Sequence, residues 1–251
     1  MPRTVAVFDW DGVVIDSSVA HERSWEALAK EENLPLPADH FKRGFGKRNE
    51  LIIPDILNWT RDPAEVKRLS HRKEALYRDI ARTGHVRLLP GVRELCGALK
   101  DLGIPCVIGT STHKENLALS FELFGIGHFF AGAVASEDVT KGKPDPEVFL
   151  KACALGGGDP AASFVFEDSF SGLQAGLSGG FITIALATTN TREQLAPVGA
   201  HRIVQDLSEV DPRWLARGRA TADRLRRGPA RCGGRRRAPA ARGCWSSRGR
   251  S

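Results

Sequence analysis

The strongest constraint on how this chain folds is a regular alternation between short apolar segments and longer helical ones. Five apolar segments and a weaker sixth predict buried strands, at residues 4–9, 105–110, 131–135, 163–167, 181–187 and 202–204. Helical periodicity fills much of the rest, including residues 91–102, 114–124, 145–155 and 170–178. Strands that alternate with helices form parallel sheets covered on both faces. The sequence therefore predicts an α/β fold with a doubly wound parallel sheet.

One long interval breaks this alternation. Between Ser17 and Arg87 the sequence contains only helical patterns, such as HERSWEALAKEE and DPAEVKRLSHRKEALYRDIA. We therefore predict an inserted, all-helical cap domain over residues 17–87. Residues 1–16 and 88–216 would form the α/β core, and a chain of 251 residues is long enough for both units.

The charge of the chain is unevenly distributed. Residues 217–251 contain twelve arginines and one acid, a local charge of +11, and taking this from the overall +6 leaves −5 for residues 1–216. This Arg-rich tail has few large apolar residues to bury, so we predict that it is disordered. It could bind nucleic acid or other polyanions nonspecifically, or it could be an extension without a binding role.

Composition also bounds the location of the protein. No apolar run reaches the 18 residues of a membrane span, and the start lacks the pattern of a secretory signal. The five cysteines are widely spaced without a CxxC pair, which is typical of free thiols rather than a disulfide framework or a zinc site. We therefore expect a cytoplasmic protein, and a monomer.

Residues suited to phosphate chemistry follow the predicted strands at the points where they end. They are Asp9 and Asp11, Thr110 and Ser111, Glu167 and Asp168, with Lys143 in the segment TKGKPDP. In open parallel sheets, ligands bind at the carboxyl ends of the strands. Carboxylates suit Mg²⁺, which is commonly completed by water and substrate phosphate, and a lysine can balance the phosphate charge. Any one of these residues could lie in an ordinary polar turn, but their joint occurrence predicts a magnesium and phosphate site.

Four segments carry a resemblance to a known family. FDWDGVVIDS, VIGTST, KGKPDP and FEDSFSGLQAG are similar, in order, to the four motifs of the haloacid dehalogenase superfamily of phosphohydrolases, across residues 4 to about 195. The helical insertion lies where the β-phosphoglucomutase-like branch carries its helical cap. The resemblance implies a Rossmann-like core beneath that cap.

The resemblance also implies roles for individual residues. Asp9 would be the nucleophile that becomes an aspartyl phosphate, and Asp11 the general acid and base. Thr110, Ser111 and Lys143 would contact the phosphoryl group. The Mg²⁺ ligands would come from Asp9, Asp168 and the backbone carbonyl of Asp11, with Glu167 beside them. An acid at position 11 disfavours the dehalogenase and phosphonatase branches, which lack one there.

The cap is where the substrate would be selected. His21 resembles the hinge-side histidine of the sugar phosphomutases, and Lys73 lies in a segment that resembles their cap helix. Arg48 falls near their substrate-contacting turn. For all three residues, an ordinary place on a cap helix is the alternative interpretation.

These observations predict an Mg²⁺-dependent phosphoric monoester hydrolase acting on a small phosphorylated metabolite such as a sugar phosphate. A sugar phosphomutase is the enzymatic alternative, because it uses the same core residues. A polyanion-binding protein that acts through its basic tail is the non-enzymatic alternative.

Overall fold

The computed structural model of this chain describes residues 3–44 and 46–217. The predicted Arg-rich tail, apart from Arg217, lies outside the described residues, so its disorder stays a prediction.

The core is a six-stranded sheet whose strands are all parallel. Its strands are β1 (Ala6–Phe8), β4 (Cys106–Gly109), β5 (Phe130–Val134), β6 (Phe164–Glu167), β7 (Ile182–Leu186) and β8 (Arg202–Val204). Their order across the sheet is β5-β4-β1-β6-β7-β8, so β1 lies between β4 and β6. The chain moves outward from β1 in both directions, which confirms the predicted doubly wound fold.

Helices cover both faces of this sheet. They are α5 (Val92–Asp101), α6 (Lys114–Phe124), α7 (Glu147–Leu155), α8 (Phe170–Ser178), α9 (Arg192–Leu195) and α10 (Pro212–Ala216). Successive residues of β1 point to opposite faces: Ala6 and Phe8 join one apolar cluster, while Val5 and Val7 join the other. Burial on both faces explains why the strands are almost continuously apolar.

The interval between Ser17 and Arg87 is helical, as its periodicity predicts. It contains α1 (Ser18–Glu31), α2 (His40–Gly44), α3 (Asn49–Leu51) with a π-helical turn over Ile52–Ile56, and α4 (Pro63–Arg82). A separate apolar cluster, which includes Leu28, Ile53 and Leu69, holds these helices together. None of the helices in the described part of the chain is long and apolar enough to cross a membrane.

Two short strands join the cap helices to the core. They are β2 (Ile15–Asp16) and β3 (Arg87–Leu88), which pair antiparallel, and Arg87 forms an ion pair with Asp16 at 2.9 Å. This ribbon is absent from the strands predicted above, because two residues are too few to show a strand periodicity.

Candidate active site

The carboxyl ends of three neighbouring strands bring the predicted core residues together. Asp9 follows β1 and is 5% exposed, and Thr110 follows β4. Glu167 ends β6 and Asp168 follows it, both with no exposure. The Asp9 N–H donates to the carbonyl oxygen of Phe166, which ties the end of β1 to β6. These residues meet at one edge of the sheet because β4, β1 and β6 are adjacent and parallel.

Gly12 allows the loop after β1 to approach β6. Its φ is +80°, in the left-handed region that glycine adopts without strain. A Cβ at this position would lie 2.0 Å from Oδ2 of Asp168, so a side chain could not be accommodated. The glycine therefore lets the segment that carries Asp9 and Asp11 pass directly over Asp168.

Three buried carboxylates share this site with one lysine. Asp9, Glu167 and Asp168 can each place an oxygen within 4.8 Å of the others. The Nζ atom of Lys143, which lies before α7, is 2.9 Å from Oδ1 of Asp9 and 2.7 Å from Oε1 of Glu167. One ammonium group cannot balance three carboxylates, so the fully ionised cluster would carry an excess of two negative charges.

The pKa values of the cluster reflect this imbalance. Burial raises the pKa of Asp9 to about 7, although the charge of Lys143 opposes the shift. Burial and the neighbouring charges of Glu167 and Asp9 raise the pKa of Asp168 well above its usual range. Burial lowers the pKa of Lys143, but Asp9 and Glu167 outweigh it and the net shift is upward. The lysine stays charged, and its single positive charge is too little to neutralise the three carboxylates.

The unpaired atoms of the cluster fit a divalent cation. Oδ1 of Asp168 is buried and has no hydrogen-bond partner among the described residues. Oδ1 of Asp9 is ion-paired with Lys143, but the geometry is not that of a hydrogen bond. Glu167 differs, since its oxygens accept hydrogen bonds from Lys143 and from the Ser169 N–H. Hard divalent cations prefer carboxylate oxygens, so Asp9 and Asp168 could hold one while Glu167 orients the lysine.

Asp11 is held by three hydrogen bonds. One oxygen accepts from Ser17 at 2.5 Å and lies 3.4 Å from Nε2 of His21, and the other accepts from Thr112. Burial raises the pKa of Asp11, but the hydrogen bonds from His21, Ser17 and Thr112 outweigh it. The pKa of Asp11 therefore lies below its usual value, and this carboxyl group is oriented by both the core and α1.

The predicted cap residues His21 and Lys73 form a chain that ends at Asp11. Nζ of Lys73 is 2.6 Å from Nδ1 of His21 and 3.0 Å from Oε1 of Glu74. An ammonium group can only donate, so Nδ1 of His21 accepts and Nε2 carries the proton that faces Asp11. The His21 ring also stacks on Tyr77 with a centroid distance of 4.1 Å. The cap thereby contacts the site through a fixed imidazole.

Glu74 connects this chain back to the core. It accepts hydrogen bonds from Asn49 of α3 at 2.7 Å and from Asn116 of α6 at 2.6 Å. Arg78 of α4 also donates to Asn116 and pairs with Glu115 of the core at 2.8 Å. These contacts exist only where the cap lies against the core, so the structure represents a closed arrangement.

Cap and core residues together line a cavity of about 70 Å³ next to Asp9. Thr110, Ser111, Lys73 and Arg48 line it. Arg48 pairs with Glu50 at 3.5 Å, and it also borders an adjoining cavity of about 670 Å³. The structure thus places all of the predicted cap residues around one opening, with Arg48 the one that also borders the larger cavity.

Comparison with known proteins agrees with this geometry. A sequence model described as haloacid dehalogenase-like hydrolase matches residues 4–180. The chain belongs to the haloacid dehalogenase-like hydrolase family. This membership confirms the family resemblance and the prediction of a hydrolytic enzyme.

Two curated relatives of this hydrolase represent two activities. Over 217 residues it is 35% identical to the chloroplastic 5-amino-6-(5-phospho-D-ribitylamino)uracil phosphatase of Arabidopsis thaliana, covering 84% of this chain and 57% of the relative. The chain thus spans little more than half the length of the plant protein. Over 212 residues it is 29% identical to the β-phosphoglucomutase of Bacillus subtilis (strain 168), covering 81% of this chain and 90% of the relative.

Among solved structures, a family IA, variant 3 hydrolase from Entamoeba histolytica HM-1:IMSS matches with a TM-score of 0.79 and 27% identity. The match covers 88% of this chain and all of the other, so the predicted capped core is shared. Since one relative is named as chloroplastic, the cytoplasmic location of this hydrolase stays a prediction. Its monomeric state stays a prediction too.

Several residues that orient the site of this hydrolase were missed in the sequence. Thr189 donates to Oδ2 of Asp168, Asn190 donates to its backbone carbonyl, and Thr188 donates to the carbonyl of Gly12. They form the run TTN after β7. Their place at a strand end is the signal that points to them, because all parallel strands end at the same edge.

The sequence gives weaker signs of three other residues at the site, Ser17, Thr112 and Glu74. Thr112 lies in VIGTST, where its hydroxyl could simply shape a turn, yet it reaches Asp11 from 101 positions away. Ser17 is the last residue of FDWDGVVIDS, six positions after Asp11, where a serine gives no distinct signal of a contact with that carboxylate. Glu74 stands beside Lys73 on a charged helix, where it looks like any solvated residue, although it is 5% exposed.

Proposed function

We propose that this hydrolase is an Mg²⁺-dependent phosphatase that releases phosphate from a small phosphorylated metabolite. The observation that carries the proposal is the buried cluster of Asp9, Glu167 and Asp168 with Lys143 as its only close cation among the described residues. Such a cluster suits a divalent cation and a dianionic phosphate together. A relative that is itself named a phosphatase supports the reaction class.

Mg²⁺ would be held by Asp9 and Asp168, with the backbone carbonyl of Asp11 as a further ligand. When bound, the ion reduces the repulsion between an anionic nucleophile and an anionic phosphate. Thr189 and Asn190 keep Asp168 in place through hydrogen bonds to its side chain and its backbone. Outer contacts of this kind orient the ligands of metal sites.

In the first step, an oxygen of Asp9 attacks phosphorus and the bond to the leaving oxygen breaks, which forms an aspartyl phosphate. Nζ of Lys143, 2.9 Å from Oδ1 of Asp9, counters negative charge on the nucleophile and on the phosphoryl oxygens. The Thr110 hydroxyl accepts from the Thr112 N–H at 3.1 Å, so its own proton is free to reach a phosphoryl oxygen.

Asp11 would transfer protons in both steps. Its contacts favour the carboxylate, but the negative charge of a bound phosphate favours the protonated form, which gives its proton to the leaving oxygen. As a carboxylate it then takes a proton from the water that hydrolyses the aspartyl phosphate. Its contacts with Ser17, Thr112 and His21 orient it for this role. Because His21 belongs to the cap, this orientation is complete only when the cap is closed.

The decisive experiment measures phosphate release from a panel of phosphorylated sugars, polyols and nucleotides, with Mg²⁺ or with a chelator. We expect release only with Mg²⁺, and no turnover in Asp9→Asn, whose amide has nearly the same shape but is a poor nucleophile. Asp79→Asn, at an exposed ion pair with Arg82, is the matched control and should behave as wild type. Substantial turnover in Asp9→Asn would exclude the aspartyl phosphate.

A sugar phosphomutase is the second candidate, because the Bacillus subtilis relative carries that name. Phosphorus NMR with a hexose 1-phosphate, Mg²⁺ and a little bisphosphate primer separates the two reactions. Hydrolysis predicts inorganic phosphate without isomerised sugar. Conversion to the 6-phosphate without free phosphate would refute the phosphatase proposal. A polyanion-binding role of residues 217–251 would be independent of both reactions.

A further inference from the structure

We propose that His40 accepts a hydrogen bond from a hydroxyl or N–H group of the leaving group, and so selects phosphomonoesters whose leaving group carries such a donor. This inference rests on the proposed phosphatase function. It concerns a cap residue outside the motifs that predicted the site.

The orientation of the His40 ring is fixed by a single carbonyl group. His40 begins α2 and is 5% exposed. Its backbone N–H and its Nδ1 atom both lie within hydrogen-bond distance of the carbonyl oxygen of Pro37, at 3.0 and 2.8 Å. A carbonyl oxygen can only accept, so Nδ1 carries a proton. In the neutral ring, Nε2 is therefore an acceptor.

That acceptor has no partner within the protein. Nε2 of His40 is buried and makes no hydrogen bond with any of the described residues. Buried polar atoms in native proteins are nearly always paired, and an unpaired one is a free-energy penalty. His40 lines the same cavity as Asp9 and Asp11, so a substrate enclosed by the cap can supply the missing donor.

The surroundings of His40 define the chemistry of that donor. Trp25 and Ile52 line the cavity beside it with apolar surface, while Lys73 and Arg48 supply the cations. A neutral acceptor repels the oxygens of a second phosphate or of a carboxylate. The position therefore suits an uncharged polar group, such as an alcohol on a sugar or polyol, while the ester phosphate lies at Asp9 and Lys143.

The test compares leaving groups with and without donors. The probes are glycerol 3-phosphate, ribitol 5-phosphate and glucose 6-phosphate, set against p-nitrophenyl phosphate, whose leaving group has no hydroxyl or N–H group apart from the scissile oxygen. The measured quantity is the ratio of kcat/KM for each polyol phosphate to kcat/KM for p-nitrophenyl phosphate. Using a ratio cancels any general loss of folded or active enzyme.

We expect His40→Phe to lower this ratio about tenfold for the preferred polyol phosphate, because a site that hydrogen-bonds a substrate group discriminates through that bond. His40→Gln keeps an acceptor at a similar distance from the backbone and should restore much of the ratio. Ile52→Val alters the packing of the same cavity without a polar change, and it should leave the ratio within about twofold of wild type.

Two outcomes would overturn the inference. If no substitution at His40 lowers the ratio for any polyol phosphate, His40 does not contact the leaving group. If Ile52→Val lowers the ratio as much as His40→Phe does, the effect is one of packing. Failure of the proposed function looks different, because the wild-type protein would then hydrolyse neither the polyol phosphates nor p-nitrophenyl phosphate with Mg²⁺, and both proposals would fall.

Discussion

Replacement of Glu74 by glutamine tests how the cap is held on the core. Glu74 is 5% exposed and accepts hydrogen bonds from Lys73, Asn49 and Asn116. Glutamine has nearly the same shape, so the substitution removes the charge without opening a cavity. It also turns one oxygen into an amide donor, which then faces the amide donor of Asn49 or of Asn116.

The size of the destabilisation follows from the charge that Glu74→Gln leaves unpaired. Lys73 is 2% exposed and would keep only uncharged polar partners, His21 and the glutamine oxygen, so a buried ammonium group would lose its counter-charge. Removal of one partner from a buried ion pair destabilises a protein by about 3–5 kcal/mol. For a protein of this size, that loss lowers the melting temperature by roughly 10 °C.

The assay is urea and thermal unfolding of wild type, Glu74→Gln and a control on the same helix. The control is Glu65→Gln, which breaks an exposed ion pair with Arg68 at 2.7 Å. Exposed pairs contribute little, so the control should melt close to wild type. If Glu74→Gln lowers the free energy of unfolding by less than about 1 kcal/mol, the reasoning is refuted, because the Lys73–Glu74 pair would then contribute no more than an exposed ion pair.

A second check is how the stability difference between wild type and Glu74→Gln depends on pH. Burial raises the pKa of Glu74, but the charge of Lys73 and the hydrogen bond from Asn49 outweigh it, and the pKa lies below its usual value of 4.5. A group whose pKa is lowered by folding stabilises the protein above its unfolded pKa, and that stabilisation is lost as the pH falls. The difference in free energy of unfolding between wild type and Glu74→Gln should have its full value near pH 7 and should become smaller below about pH 4.5.

Three further predictions concern the core of the site. Asp11→Asn should slow steady-state phosphate release by roughly 10²–10⁴, the usual share of general acid–base catalysis, and a loss below tenfold would contradict that role. Asp168→Asn should weaken Mg²⁺ binding by at least about tenfold in calorimetric titration, and unchanged affinity would exclude Asp168 as a ligand. Gly172→Ala would place a Cβ 1.7 Å from Oε1 of Glu167, which bonds Lys143, so we expect about 1–3 kcal/mol of destabilisation and impaired turnover. Wild-type melting and turnover in that variant would show that Glu167 can move freely.

Much of this protein could be predicted from short-range sequence patterns. The apolar segments predicted β1, β4, β5, β6, β7 and β8 to within one or two residues at each end. The strands were predictable because burial on both faces requires continuous apolar runs, which few other elements show. The convergence of Asp9, Thr110 and Asp168 was predictable as well, since the carboxyl ends of parallel strands lie at the same edge of the sheet.

What the pattern could not predict are contacts between segments that are far apart in the chain. Thr112 reaches Asp11, Thr189 reaches Asp168, and Asn116 reaches Glu74 across the boundary between cap and core. Each contact joins polar residues that are ordinary in their own local sequence.

The sequence by itself determined the class of sheet, the helical insertion and the residues available at the strand ends, because these depend on backbone periodicity and burial within each segment. Only the tertiary structure decided which oxygen of the acidic cluster remains unpaired, and that His40 presents an unpaired nitrogen in the wall of the active-site cavity. Those features depend on how closely the cap packs on the core. Side-chain pairing across that boundary requires positions correct to within a hydrogen-bond length, and no local pattern encodes such a distance.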